Sequence, residues 1–208
     1  MYYIIGVGGF AKEVLFLCKE VFGNLNDFAG FINKDSSICK TTCLGNEYDV
    51  ISEKDFFENK YSSPDLYLGI GNPKMNENIS KLFIDYNFPN LIYPNFIGHI
   101  GSIKFGKGNI VTSSCVFTTD ITIGSYNIFN LSTTVGHDTI IGDYNVLNPS
   151  VNISGSVIIG NVNLFGTNCC VLQGLKIGDK SIIGAGAMVN KNVENEKVVV
   201  GIPARPIN

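Results

Sequence analysis

Every sixth residue from Phe105 to Val189 is apolar. The series runs Phe105, Val111, Phe117, Ile123, Phe129, Val135, Ile141, Leu147, Ile153, Ile159, Phe165, Val171, Ile177, Ile183 and Val189, fifteen positions without a break. With 45% of the chain apolar, such a run arises by chance about once in 10⁵. The next residue is glycine in eight of the fifteen repeats: Gly106, Gly124, Gly136, Gly142, Gly160, Gly166, Gly178 and Gly184. A period of six is neither the 3.6 of a helix nor the plain alternation of a strand. It describes a short strand plus a corner, repeated. Three such units close a triangular coil of 18 residues, so the fifteen make five coils. The sixth-place residues are expected to point inward and stack between coils. Glycine and asparagine are expected to relieve the corners, because both tolerate positive φ cheaply. Asn109, Asn127, Asn145 and Asn163 recur every 18 residues, as a ladder along one side of a prism would.

The first ninety or so residues have a different rhythm. Tyr2 to Ile5 reads as a strand, followed by Gly6-Val7-Gly8-Gly9-Phe10-Ala11 and then a helix with Val14, Leu17, Cys18, Val21 and Phe22 on one face. Phe28 to Ile32 reads as a second strand and Leu66 to Ile70 as a third. Ser52 precedes Glu53-Lys54-Asp55 as a capping residue at a helix start. A last helix carries Ile79, Leu82, Phe83 and Tyr86. Strand–helix alternation predicts a small parallel sheet with crossover helices.

Composition narrows the function classes. Charged residues are only 16%, and the net charge is −3. That balance excludes a basic nucleic-acid binder and a disordered chain. No apolar stretch is long enough for a membrane helix, and the N-terminus lacks the features of a signal peptide. Six cysteines without a C-x-x-C pair predict free thiols in a reducing, cytoplasmic setting. The scarcity of charge is concentrated. Between Phe105 and Val189 only Lys107, Asp120, Asp138, Asp143, Lys176, Asp179 and Lys180 are charged.

Two histidines are present, His99 and His137. A three-histidine zinc site cannot be built from two, so no metal is expected. His137 follows Val135-Gly136 near a predicted corner, with Asp138 beside it and Asp143 one repeat on. A histidine is the natural base for taking a proton from an amine or hydroxyl near neutral pH. A neighbouring carboxylate can fix its tautomer. Adjacent strand residues face opposite ways, so a His137–Asp138 pair requires a corner between them. His99, where the repeats only begin, reads as structural. The segment from Gly6 to Ala11 fits G-x-G-x-x-A between a strand and a helix, where backbone N–H groups could meet a phosphate or simply make a tight turn.

The stretch Gly136-His137-Asp138-Thr139-Ile140-Ile141-Gly142-Asp143-Tyr144 resembles the active-site segment of bacterial hexapeptide-repeat sugar acetyltransferases. These are the sialic acid O-acetyltransferase-like and bacillosamine-pathway N-acetyltransferase-like enzymes. The resemblance extends through Ser154-Gly155, Leu164 to Thr167, Ile182 to Ala187 and Gly201-Ile202-Pro203-Ala204-Arg205-Pro206, and at the N-terminal end through Gly6 to Glu13 and Gly30 to Asn33. It implies a small Rossmann-like α/β domain over residues 1–90, which would bind a nucleotide sugar. A left-handed parallel β-helix over residues 91–208 would be the acyltransferase domain.

It further implies that His137 is the general base, that Asp138 assists it, and that the Gly155 N–H faces the thioester carbonyl. Acetyl-CoA would lie along the prism past Gly155, Gly166, Thr167, Gly184 and Ala185, with Pro203 at the adenine end. The acceptor, a nucleotide-linked amino sugar, would meet Gly8, Gly9, Phe10, Asn33, Lys34 and Asn72. The active sites would lie between subunits of a homotrimer.

Three positions depart from the pattern of the relatives. Val146 stands where many carry a second histidine, Phe10 replaces a common histidine, and Asn33-Lys34 replaces a usually acidic pair that contacts a UDP-sugar. The nucleotide is therefore open among UDP, dTDP and GDP. The reading is an acetyl-CoA-dependent N-acetyltransferase acting on a nucleotide-linked deoxyamino sugar. O-acetylation of sialic acid or another hydroxyl is the nearest rival. A non-catalytic nucleotide- or sugar-binding scaffold and a nicotinamide oxidoreductase are further alternatives.

Overall fold

A computed structural model describes residues 1–59 and 63–207. The first part is a five-stranded sheet in the order β3-β4-β2-β1-β5. Its strands are β1 (Tyr2–Ile5), β2 (Phe28–Asn33), β3 (Lys40–Cys43), β4 (Asn46–Ser52) and β5 (Asp65–Leu68). Its helices are α1 (Gly9–Phe22), α2 (Glu53–Glu58) and α3 (Pro73–Leu82). β4, β2, β1 and β5 run parallel, and β3 closes the edge antiparallel to β4.

The β3–β4 hairpin is absent from the sequence reading, because Lys40–Cys43 is polar and mostly exposed. The strand expected over Leu66 to Ile70 ends at Leu68, where Gly69 presses against Ala11 of α1. The last helix also ends early. Phe83 and Tyr86 lie beyond α3, and Leu82 is half-exposed. Phe83 and Tyr86 instead pack with Phe56 of α2, at centroid separations of 5.6 and 5.1 Å. Ser52 caps α2 as expected, its hydroxyl oxygen accepting the Asp55 N–H at 3.0 Å.

The second part is the prism. Its first face carries Val116–Phe117, Thr134–Val135, Asn152–Ile153, Cys170–Val171 and Met188–Val189. The second carries Ile121–Ile123, Ile140–Ile141, Ile158–Ile159 and Lys176–Ile177. The third carries Ile110–Val111, Ile128–Phe129, Val146–Leu147, Leu164–Phe165 and Ile182–Ile183. Each strand pairs in parallel with the one 18 residues on, as Thr134 does with Asn152 and Asn152 with Cys170. The sixth-place residues form one continuous core, with Phe105 at the first coil only partly buried. The parallel stacked sheets are those of a left-handed β-helix.

The corners are built differently from the expectation. Every sixth residue from Gly108 to Gly186 has positive φ, between 54° and 73°, yet only Gly108, Gly174 and Gly186 in that series are glycine. The others include Tyr126, Asp138, Tyr144 and Val162. An L-residue pays about 1–2 kcal/mol in this conformation. The neighbouring coil offsets that cost, because these residues donate their N–H groups to it. Tyr144 N–H bonds Ser125 C=O and Val162 N–H bonds Asp143 C=O, both at 2.9 Å.

The glycines after the apolar positions serve close approach instead. A Cβ on Gly142 would stand 2.5 Å from the Asn161 amide oxygen. β-branched Val162 is the least suited to its backbone, at φ 61°. Val162→Asn is expected to stabilise the fold by about 1 kcal/mol, because asparagine tolerates this conformation. Thermal unfolding should show a midpoint raised by roughly 2–4 °C.

Asn109, Asn127, Asn145 and Asn163 do form a ladder, but inside the prism, each fully buried. The Asn127 carbonyl oxygen accepts the Asn145 backbone N–H at 2.8 Å and its side-chain amide at 3.0 Å. The Asn127 amide in turn donates to Asn109 at 3.1 Å and to the Gly142 carbonyl at 2.9 Å. Asn127→Ala would leave several of these groups buried without partners. The expected loss is about 3 kcal/mol, measurable as a drop in the unfolding midpoint of roughly 6–12 °C.

The α/β part docks on the third face. Val14, Leu15 and Phe31 share a buried cluster with Ile110, Ile128 and Val146. The seam continues at the corner between the second and third faces, where Tyr126 and Tyr144 stack in parallel, 5.0 Å apart. The Tyr144 hydroxyl meets the Ser80 hydroxyl of α3 at 3.0 Å. Val146, where many relatives have a histidine, is thus part of this apolar seam.

Candidate active site

His137 and Asp138 follow Val135 and Gly136 at the corner between the first and second faces. Asp138 has φ 58°, and this bend brings the two side chains to the same side. His137 Nδ1 and Asp138 Oδ2 are 2.7 Å apart, and both side chains are more than half-exposed. An aspartate carboxylate only accepts, so Nδ1 carries the hydrogen. In the neutral ring Nε2 then keeps its lone pair.

The ring lies over Gly155, one coil on. A Cβ at Gly155 would be 2.5 Å from Nε2 and 2.7 Å from Cε1 of His137. Among the described residues no acceptor takes the Gly155 N–H. The corner between the second and third faces is different. There Ser125 N–H bonds the Asp143 carboxylate at 2.6 Å, Asp143 N–H bonds Asn161 at 2.8 Å and Asn161 N–H bonds Asp179 at 2.6 Å. Asp143 is therefore a rung of that ladder and does not face His137. At the His137 corner the same geometry sets Gly155, which has no side chain, against the His137 N–H and Gln173 against the Gly155 N–H, and among the described residues neither N–H finds an acceptor.

Thr167 and Ala185 lie 18 residues apart at the opposite edge of the first face, both exposed. A Cβ on Gly166 would collide with the Ala185 amide nitrogen, and one on Gly184 would lie 2.7 Å from Val200. These two glycines are needed for coil spacing whatever else passes nearby. The outer side of the first face, between His137 and Thr167, presents Asn152, Cys170 and Met188. Pro203 follows a cis peptide bond in the exposed terminal turn. His99 bonds Ser102 at 3.0 Å within the first coil.

The residues expected at the acceptor do not all share one place. Gly8 caps α1 through its backbone without a side-chain bond, and beside both Gly8 and Gly9 the space for a Cβ is open. Phe10 is partly buried against the cluster that ties α1 to the prism. Asn33 and Lys34 line a cleft of ≈ 300 Å³ at the C-terminal ends of β1 and β2, walled by Ile5, Ile32, Ile70 and Ile79. Asn72 lies elsewhere. Its side chain caps α3 by accepting the Met75 N–H at 3.0 Å, and it borders a different cleft of ≈ 440 Å³ against Leu164 and Ile182.

Glu53 also lines the first cleft and was not legible as a site residue. Recognition of the β3–β4 hairpin would have found it, because β4 sets Ser52 level with Asn33. All six cysteines are free. Burial pushes the Cys18 and Cys169 thiols up to about 12 and Cys115 to about 11, so these are not nucleophiles near neutral pH. Among the described residues no helix is long and apolar enough to cross a membrane, and no group of three or more His, Cys, Asp or Glu could hold a metal ion.

No protein-family model and no curated protein matches the sequence. Solved structures do. PerB from Caulobacter crescentus, in complex with CoA and GDP-perosamine, is 25% identical, with a TM-score of 0.88 over 100% of this chain and 97% of that one. WeeI from Acinetobacter baumannii AYE is 29% identical, with a TM-score of 0.88 over 100% and 99%. The acetyltransferase domain of PglB from Neisseria gonorrhoeae FA1090, in complex with acetyl coenzyme A, is 25% identical, with a TM-score of 0.86 over 99% and 98%. Both parts of the molecule are covered in each case.

Proposed function

We propose that this chain, which has the two-part architecture of the hexapeptide-repeat sugar acetyltransferases, is an acetyl-CoA-dependent N-acetyltransferase acting on a nucleotide-linked deoxyamino sugar. The observation that carries the reading is the His137–Asp138 pair above the unpartnered Gly155 N–H. Those are the parts acyl transfer to an amine requires. His137 Nε2 takes a proton from the amine as its nitrogen bonds to the thioester carbonyl carbon. Asp138 holds the imidazole in the productive tautomer and supports the charge it gains. The Gly155 N–H meets the negative charge developing on the carbonyl oxygen. The carbon–sulfur bond then breaks and the His137 imidazolium returns its proton to the sulfur, giving the amide, the coenzyme thiol and the free base.

The donor runs from Gly155 toward Gly166, Thr167, Gly184 and Ala185, with Pro203 at its far end. Residues 1–90 form the acceptor domain, with Gly8, Gly9 and Phe10 at the start of α1 and Asn33 and Lys34 in the cleft. Asn72 acts by shaping the α3 terminus. The α/β part sits on the third face, while His137 occupies the corner that points away from it. An acceptor held there is therefore presented to the His137 of another copy, in a homotrimer. Ile140 and Ile158, neighbours on the outer side of the second face and 50% and 42% exposed, support such an assembly. Six free thiols support a cytoplasmic setting.

Perosamine N-acetyltransferase from Caulobacter crescentus, similar in fold, has been solved as histidine-to-asparagine and histidine-to-alanine variants with CoA and GDP-perosamine. The test is thiol release from acetyl-CoA against UDP-, dTDP- and GDP-linked amino sugars and free sialic acid. Turnover with an amino sugar supports the proposal. Turnover with sialic acid alone replaces it with O-acetylation, and no acetyl-CoA binding at high micromolar concentration leaves a scaffold.

A further inference from the structure

We propose that the cleft at the C-terminal edge of the α/β sheet reads a guanine base, through Glu53 and Lys34. The inference rests on the reading of residues 1–90 as the acceptor-nucleotide domain. β2 and β4 are adjacent parallel strands with Asn33 level with Ser52, so Lys34 and Glu53 leave the sheet side by side. Both line the same cleft. Lys34 forms no ion pair among the described residues, and neither does Glu53. Two residues of opposite charge therefore line one cleft with no ion pair between them.

The walls suit a flat ring. Ile5, Ile32, Ile70 and Ile79 are aliphatic, and Met75 and Leu82 at the rim are about half-exposed, a surface that a stacked base would cover. A carboxylate has two acceptor oxygens and takes two parallel N–H donors. Guanine offers such a pair, N1–H and the 2-amino group. Uracil and thymine offer one N–H between two carbonyls, and adenine has an acceptor beside its amino group. A lysine ammonium complements guanine O6 and N7. Carboxylate and ammonium together match the donor and acceptor edges of guanine better than those of the other bases.

Calorimetric titration of the full chain with GDP, inosine diphosphate, UDP and dTDP tests this. Inosine lacks only the 2-amino group. GDP is expected to bind about ten-fold tighter than inosine diphosphate, and at least as much tighter than UDP or dTDP. In Glu53→Gln the advantage of GDP over inosine diphosphate should collapse, with the circular dichroism spectrum unchanged. Equal binding of GDP and inosine diphosphate to the unaltered protein, or tighter binding of UDP or dTDP, overturns the guanine assignment and leaves the acceptor domain standing. Absence of binding by all four overturns the acceptor reading itself.

Discussion

His137→Ala lowers turnover by about 10²–10⁴-fold, with the assembly and the unfolding midpoint preserved. The magnitude follows from what is removed. Nε2 is the basic atom held over Gly155, and without it the amine must lose its proton to water. The structural cost is small, because the side chain is half-exposed and its hydrogen bond runs only to the adjacent Asp138. The backbone contact that ties this corner to the next coil, Ser156 N–H to the His137 carbonyl at 2.7 Å, does not involve the imidazole. Asp138→Asn offers a graded companion. An amide can donate to Nδ1, which places the hydrogen on Nε2 and blocks it as a base. Thiol release at saturating acetyl-CoA, with light scattering for the assembly, measures both. Near-normal turnover in His137→Ala would sink the assignment.

The sequence period reached the prism and the His137 corner for a simple reason. Each inward residue meets the residue 18 places on, so the core is a short-range rule repeated. The need for a bend between His137 and Asp138 was legible for the same reason, and φ 58° at Asp138 supplies it. What the period hides is the cost of the corners. Val162 and Tyr144 look unsuited to positive φ, and they adopt it because the preceding coil offers a carbonyl to each N–H. That partner exists only after the coil closes. The roles of the glycines are hidden likewise. Gly142 and Gly160 make room for oxygens of Asn161 and Asp179, a contact between coils rather than a local preference. Glu53 comes beside Lys34 only because Ser52 pairs with Asn33, and that pairing depends on a hairpin with no apolar signal. The unpartnered Gly155 N–H is a further case, since it shows only against the rungs at Ser125, Asp143 and Asn161, where the residue 18 places on supplies the acceptor that Gln173 does not.

Gly155→Ala should separate chemistry from fold. Its φ is not in the left-handed region, so alanine fits the backbone. The three atoms nearest to a Cβ there are on the His137 ring: Nε2 at 2.5 Å, Cε1 at 2.7 Å and Cδ2 at 3.0 Å. That side chain is free to swing outward, so the unfolding midpoint should move by no more than about 0.5 kcal/mol implies. Turnover should fall as far as in His137→Ala, because a displaced ring loses both its bond to Asp138 and its place above the N–H. Gly136→Ala provides the contrast. Its Cβ would stand 2.5 Å from Gly155 N and 2.7 Å from the Ser154 carbonyl carbon, backbone atoms that cannot step aside without parting two coils. That variant should lose stability outright. The double variant His137→Ala/Gly155→Ala then identifies the route of the effect. With the ring gone the three closest contacts of the added methyl are gone, so turnover should be no lower than in His137→Ala alone. A further large drop would mean that the methyl acts on the Gly155 N–H itself, and that the carbonyl oxygen depends on this donor independently of the base.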